Sequence, residues 1–307
     1  MSSGMACYRC VAPVLSNSAP RVGNTDDTCG SQDAGMVPRR TLSVGCEFAY
    51  LAEVPTPAIA QVEPDETGSA QVLTASWHTE PGLPLAWYMD LYGNKCQRTV
   101  LPAGRSSLRY DAEVSVPDAT EGVDLDAAET PVAELPAETL LYTLPSRYVV
   151  PDVVGDEAWG LFGGVPPGYR RVQAICDHVH QTLRFAYGSS TSLTTAAEVL
   201  EAGTGVCRDF AHLALSYTRA LNIPARYVFG YLPDMDVEPD PAPMDFAAWM
   251  EVFLDDRWWT FDPRNNSPRK GRVVIGRGRD ALDVAMVTTY GGPVLERMNV
   301  WAAEVVA

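Results

Sequence analysis

Basic residues are scarce in this 307-residue chain: 23 Lys and Arg stand against 39 Asp and Glu, a formal charge of -16. A surface this acidic repels phosphate backbones and anionic headgroups, so neither nucleic acid nor an anionic membrane is an expected partner. Long apolar runs are missing too. The best candidate, "LALSYTRALNIPARYVFGYL", is interrupted by Arg219 and Arg226, and a bilayer span needs roughly 20 apolar residues. The first residues lack a charged segment followed by a continuous apolar one, so no secretory signal is read and a cytoplasmic location is expected. Seven cysteines, an odd number scattered over the chain, suit a reducing compartment better than a disulfide framework. Cys7 and Cys10 form a CxxC, but no second pair or nearby histidine completes the four ligands of a structural zinc site. No EF-hand-like run of oxygen ligands is found, and no metal or other cofactor is expected.

What is present is the composition of a globular protein, 46% hydrophobic, in a chain long enough for two modest domains. Residues 1–40, rich in Ser, Gly, Asn, Asp and Pro without a sustained period, are expected to be a disordered head. Short alternating runs punctuated by Pro and Gly then predict a small all-β domain over 41–116, with a hairpin turn at Gly93-Asn94. Residues 117–144 contain no Lys or Arg and read as an acidic linker draped on the surface. The remainder, 145–292, is helical first and then strand-like, with 293–307 left as a C-terminal tail. Helices segregated ahead of an antiparallel sheet make the expected class α+β.

Within 145–292, Val172, Ile175, Val179 and Leu183 recur at helical spacing, as do Phe210, Leu213, Ala214, Tyr217 and Leu221 before the stop at Pro224. The stretch "PMDFAAWMEVFLDDRWWTFDPRNN" (243–266) predicts a hairpin whose two-residue loop is Asp255-Asp256. That loop sets Leu254 opposite Arg257 and, counting back, Trp249 opposite Asp262. Side chains alternate, so Ala247, Trp249, Glu251 and Phe253 share the face to which Asp262 belongs, and Ala247 is its diagonal neighbour. The plain alternative is that Asp262 only ends the strand and starts the "DPRNN" turn.

The segment "GTGVCRDF" places Cys207 at the start of the second helix, where the dipole favours a thiolate and lowers the thiol pKa. The competing reading is a buried thiol acting as a small hydrophobe. A nucleophilic cysteine needs a base and a group that orients the base, the logic of a Cys-His-Asp triad. Asp262 can be the orienter, yet the residue beside it, where an imidazole should stand, is Ala247.

The segments "GVCRDFAHL", "LNIPARYVFGYLPD", "MDFAAWMEVFL" and "WWTFDPRNN" follow one another as in the bacterial transglutaminase-like family, which this chain resembles from Thr41 to about Gly292. The resemblance implies a papain/transglutaminase-like core preceded by a small all-β domain, with Cys207 as nucleophile and Asp262 as orienting carboxylate. The histidine of the family's "DFHAW" motif falls on Ala247. The parent chemistry so implied is acyl transfer or amide hydrolysis through a thioester, on a peptide, amide or acyl substrate. Without the imidazole that activity is expected to be impaired. Three readings stay open: an enzyme disarmed by an engineered Ala247, a natural pseudoenzyme whose cleft binds a peptide, an acyl ligand or a partner, and chemistry redirected away from the triad. Of the other histidines, His212 is about 140° around the helix from Cys207 and His78 falls in the β domain. His178 and His180, on the preceding helix, are read, like the other two, as structural or surface histidines, with a rescuing base as their alternative reading. Asp209, Arg208 and Arg226 are also family-like but are read as local hydrogen-bonding groups, and "GRGRD" as a turn.

Overall fold

The computed structural model describes residues 37–305. The expected disordered head therefore falls almost wholly outside the described residues, as does the Cys7/Cys10 pair, and Arg39 and Arg40 already belong to the first strand. In chain order the elements are β1 (Arg39–Ala52), β2 (Thr56–Ala60), β3 (Gln71–Glu80), β4 (Ala86–Met89), β5 (Lys95–Leu101), β6 (Gly104–Pro117), α1 (Gly155–Phe162), α2 (Tyr169–Thr182), β7 (Arg184–Phe185), α3 (Ala196–Ala202), β8 (Thr204–Gly205), α4 (Cys207–Ala220), β9 (Ala225–Tyr231), β10 (Ala247–Leu254), β11 (Arg257–Phe261), β12 (Val273–Gly278), β13 (Val287–Thr289) and β14 (Val294–Glu304). The mixed helix-and-sheet class with a β-rich N-terminal region is as expected.

Strict alternation builds the first half. Every second residue of β6 from Ser106 to Val116 is buried, which is the period-2 signature of a strand with one face on a core. A sheet of order β14-β1-β6-β3 and a second of order β13-β2-β5-β4 make up the β-rich region. Residues 293–307, expected as a tail, contain β14, which runs antiparallel along β1 from Leu42↔Glu304 to Leu51↔Val294. The alternation that marks β14 is weak because its residues are mostly exposed, so pairing rather than patterning defines it. The β4–β5 connection is the five residues Asp90 to Asn94, closed by Asp90 N–H to Asn94 C=O at 3.0 Å, longer than the two-residue turn expected at Gly93-Asn94.

The helical half follows the predicted stripes. Val172, Ile175, Val179 and Leu183 on α2, and Phe210, Leu213, Ala214, Tyr217 and Leu221 on and after α4, are all buried. α4 lies against the antiparallel sheet of order β11-β10-β9-β12. The stretch read as a linker is draped and anchored at once: Glu129 pairs with Arg171 at 2.9 Å and Thr120 bridges Lys270. The apolar core is continuous between the β-rich region and the helical half, with the Phe48 and Phe246 rings stacked at 6.3 Å and Tyr231 Oη donating to the Val62 carbonyl at 2.9 Å.

Candidate active site

Cys207 opens α4 directly after Gly205 and Val206. The turn is tight: a Cβ on Gly205 would lie 2.7 Å from Asp209 Cβ, so only glycine lets the chain enter the helix here. Asp209, fully buried, accepts from Val206 N–H at 2.9 Å and pairs with Arg208 at 2.8 Å. These bonds fix the first turn and hold the half-buried Cys207 with its Sγ 3.7 Å from the Phe246 carbonyl, to which the thiol donates.

The expectation of a lowered thiol pKa is not met. Burial pushes the Cys207 thiol up to about 11; Arg264 opposes the rise, Asp245 adds to it, and the Ala248 and Arg208 N–H groups also oppose it. Desolvation of the charged form outweighs the helix dipole, whose effect is confined to the first turn.

The hairpin follows the expected register. Leu254↔Arg257, Phe253↔Trp258 and Met250↔Phe261 are paired, and both turn residues, Asp255 and Asp256, have positive φ (50° and 57°), the signature of a two-residue turn matching the strand twist. The paired register ends there, and Asp262 follows β11 directly. On the other side Ala247 pairs with Gly230, where a Cβ would meet the Val273 carbonyl at 2.2 Å and the Trp249 ring at 2.7 Å. Phe246 and Ala247 adjoin Cys207: all three line a cavity of about 270 Å³ and a second of about 520 Å³.

Asp262 has a polar partner that β10 does not supply. Arg272, ten residues on, donates from Nη2 to Asp262 Oδ2 at 2.7 Å, and its guanidinium lies 4.8 Å from the centre of the Trp249 ring. Oδ2 also accepts from Asn265 Nδ2 at 2.7 Å, while Oδ1 accepts the N–H groups of Arg264 (3.0 Å) and Asn265 (2.9 Å). Burial works to raise this carboxyl, but Arg272 and then the Asn265 bonds overcome it and hold it below the usual carboxylate range. Two carboxylate oxygens offer about four acceptor sites, and all four are taken. The turn-forming role of "DPRNN" is thus present together with an ion pair. Asp262 lines a third cavity, of about 320 Å³, with Cys176, Gln173, Glu121 and Arg272, and neither Cys207 nor Ala247 reaches it.

The other histidines are engaged elsewhere. His212 is fully buried, stacked on Tyr148 at 5.1 Å; its Nε2 accepts from Ala281 N–H at 3.2 Å, and burial drives its pKa down to about 3. His178 packs edge-on against Phe162 and Tyr217. The His180 Nδ1–H donates to the Arg264 carbonyl at 2.9 Å and steadies the turn after Asp262. His78 is in β3, 3.1 Å from Ser76. Among the described residues no group of three or more His, Cys, Asp or Glu is placed to hold a metal, and no helix is long and apolar enough to cross a membrane.

Arg272, Asn265 and Asp245 were not singled out from the sequence. Asn265 was recoverable, since an Asp followed three residues later by Asn is a local turn pattern. Arg272 was not, because its partner depends on the path of the 263–271 loop.

Residues 158–263 match the family model described as the transglutaminase-like superfamily. A solved structure from Cytophaga hutchinsonii, described as a candidate cysteine protease, is similar with a TM-score of 0.80 over 88% of this chain and 92% of its own, at 29% identity. An uncharacterized protein of Mycobacterium leprae is 34% identical over 119 residues, 38% of this chain and 42% of that protein. One from Mycobacterium tuberculosis is 33% identical over 147 residues, 44% and 46% respectively. The matched stretches span less than half the length of these curated relatives.

Proposed function

We propose that the groove beside Cys207, within the stretch 158–263 that matches the transglutaminase-like superfamily, is a cysteine site that has lost triad chemistry and serves to bind a peptide or acyl ligand. The observation that carries this reading is the saturation of Asp262 by Arg264, Asn265 and Arg272. An imidazole on β10 would find no free lone pair on the carboxylate meant to orient it. The thiol agrees: with a pKa of about 11, only about one molecule in 10⁴ carries a thiolate at pH 7. A parent triad would attack an amide or ester carbonyl with Cys207 Sγ and pass the proton through an imidazole to the leaving group. Ala247 has no atom that can carry that proton.

A second reading, a disarmed acyl-transfer enzyme, is favoured by the two cavities that still flank the thiol and by the Cys207 N–H at the helix start, which could assist an oxyanion. One experiment separates the two. Iodoacetamide alkylation of Cys207, monitored by the mass of its proteolytic peptide from pH 6 to 10, is compared in this protein and in Ala247→His, with the peptides of the buried Cys46, Cys96 and Cys176 as internal controls. On the binding reading both proteins show a rate that climbs about tenfold per pH unit with no plateau below pH 10. An Ala247→His profile that levels off near pH 7, accompanied by ester turnover, would overturn it in favour of the disarmed enzyme.

A further inference from the structure

The two cavities that meet at Cys207 differ in character, and the difference selects a ligand. They share the lining residues Val206, Cys207, Asp245, Phe246 and Ala247, so they form one groove that passes the thiol where the Ala247 methyl leaves room. Tyr227, Phe229, Val284 and Met286 line the larger part, which is the kind of concave apolar surface that takes a large apolar group. The smaller part is lined by Asp234, Asp240, Asp245, Arg264 and Arg269, three carboxylates against two guanidinium groups.

Both guanidiniums are engaged. Arg269 donates to Asp234 at 2.9 Å and to the Pro233 carbonyl at 3.0 Å, and Arg264 stacks 4.1 Å over Phe185 with its Nη2 3.5 Å from Asp240. Asp245 is different: its carboxylate accepts only its neighbour's N–H, Phe246, at 2.7 Å, and it makes no ion pair among the described residues. It is exposed, lines both cavities, and has no ion-pair partner within 4 Å among the described residues.

We propose that this groove recognises an extended peptide segment in which a large apolar residue adjoins a Lys or Arg, the apolar side chain filling the larger cavity and the cation meeting Asp245. The inference rests on the binding role proposed above and adds its specificity. A charge-assisted bond to Asp245 at the groove mouth discriminates by sign, and the apolar cavity discriminates by size.

The test uses the full-length protein and four fluorescein-labelled hexapeptides, GGFKGG, GGFQGG, GGFEGG and GGAKGG, read by fluorescence anisotropy. GGFKGG is expected to bind at least tenfold tighter than GGFQGG and GGAKGG, with GGFEGG weakest. Asp245→Asn brings GGFKGG down to the GGFQGG level; because Asp245 is exposed and makes no ion pair among the described residues, this variant folds. Equal affinity for GGFKGG and GGFQGG, or discrimination that survives in Asp245→Asn, overturns the specificity while the binding role stands. If none of the four binds, or shields Cys207 from iodoacetamide, both fall together.

Discussion

The two regions that adjoin the β10–β11 hairpin, one around Asp262 and one around Cys207, differ in how far their polar groups are engaged. Around Asp262 the carboxylate is fully engaged: it carries four hydrogen bonds, and Arg272 is held between it and Glu121, with its Nη1 left without an acceptor among the described residues. Around Cys207 the reverse holds. The thiol has one long contact to a carbonyl, Ala247 offers a methyl group, and Asp245 has no counterion among the described residues. In a working triad these two regions would be coupled by one imidazole. Without that residue they stand as an ionic knot and an open groove, the arrangement on which the proposed binding role rests.

If the knot is structural, removing its centre should have the largest effect of any single change. Arg272→Leu strands two carboxylates, one of them 4% exposed, and is expected to cost about 3–5 kcal/mol, measured by urea denaturation at pH 7. The pH dependence gives an independent check through Asp262→Asn. Because the folded-state pKa of Asp262 is depressed, its contribution is present above the ordinary carboxylate range and is lost as pH falls through the depressed value. The stability gap between the parent and Asp262→Asn should therefore be full at pH 7 and shrink in acid. A gap that stays constant down to pH 3 would mean the carboxylate is not the stabilising form.

On the Cys207 side the backbone carries more than the side chains do. Gly205→Ala drives a Cβ to 2.7 Å from Asp209 Cβ, and the overpacking is expected to cost about 1–3 kcal/mol. The same change displaces the start of α4, so it should raise the alkylation rate of Cys207 by loosening its surroundings. A stable variant with an unchanged rate would show that the tight entry into α4 does not set the thiol's environment.

Much of this arrangement was readable from local chemistry. The Asp255-Asp256 turn fixed the hairpin register, and the helical stripes of α2 and α4 named their own buried faces. The contacts that escaped join distant segments. Arg272 reaches Asp262 across a loop, Glu121 joins it from 151 residues away, and β14 pairs with β1 although its own alternation is faint. The sign of the Cys207 shift was misread for a related reason. The helix start is visible in the sequence, but the walls that desolvate the thiol, including Phe246 and Ala248, come from a strand that begins only near residue 247. Local electrostatics was outweighed by tertiary burial.

The smallest effect belongs to Asp245, and it separates a binding residue from a structural one. Desolvation by the groove raises its carboxyl above the usual value, against the Phe246 N–H and Arg264, which lower it. A carboxyl with a raised folded-state pKa opposes folding once it ionises, so Asp245 contributes nothing favourable at pH 7 and its removal has no stability to take away. Asp245→Asn should accordingly unfold within about 0.5 kcal/mol of the parent in urea, as exposed positions without specific partners do, or be slightly more stable at neutral pH with the difference vanishing in acid. A loss of about 2 kcal/mol or more, the size that breaking a specific buried interaction produces, would assign Asp245 to the fold and place it with the Asp262 knot. A neutral result, beside a lost preference for the lysine peptide, would leave ligand recognition as the role that fits an uncompensated charge at the mouth of a groove.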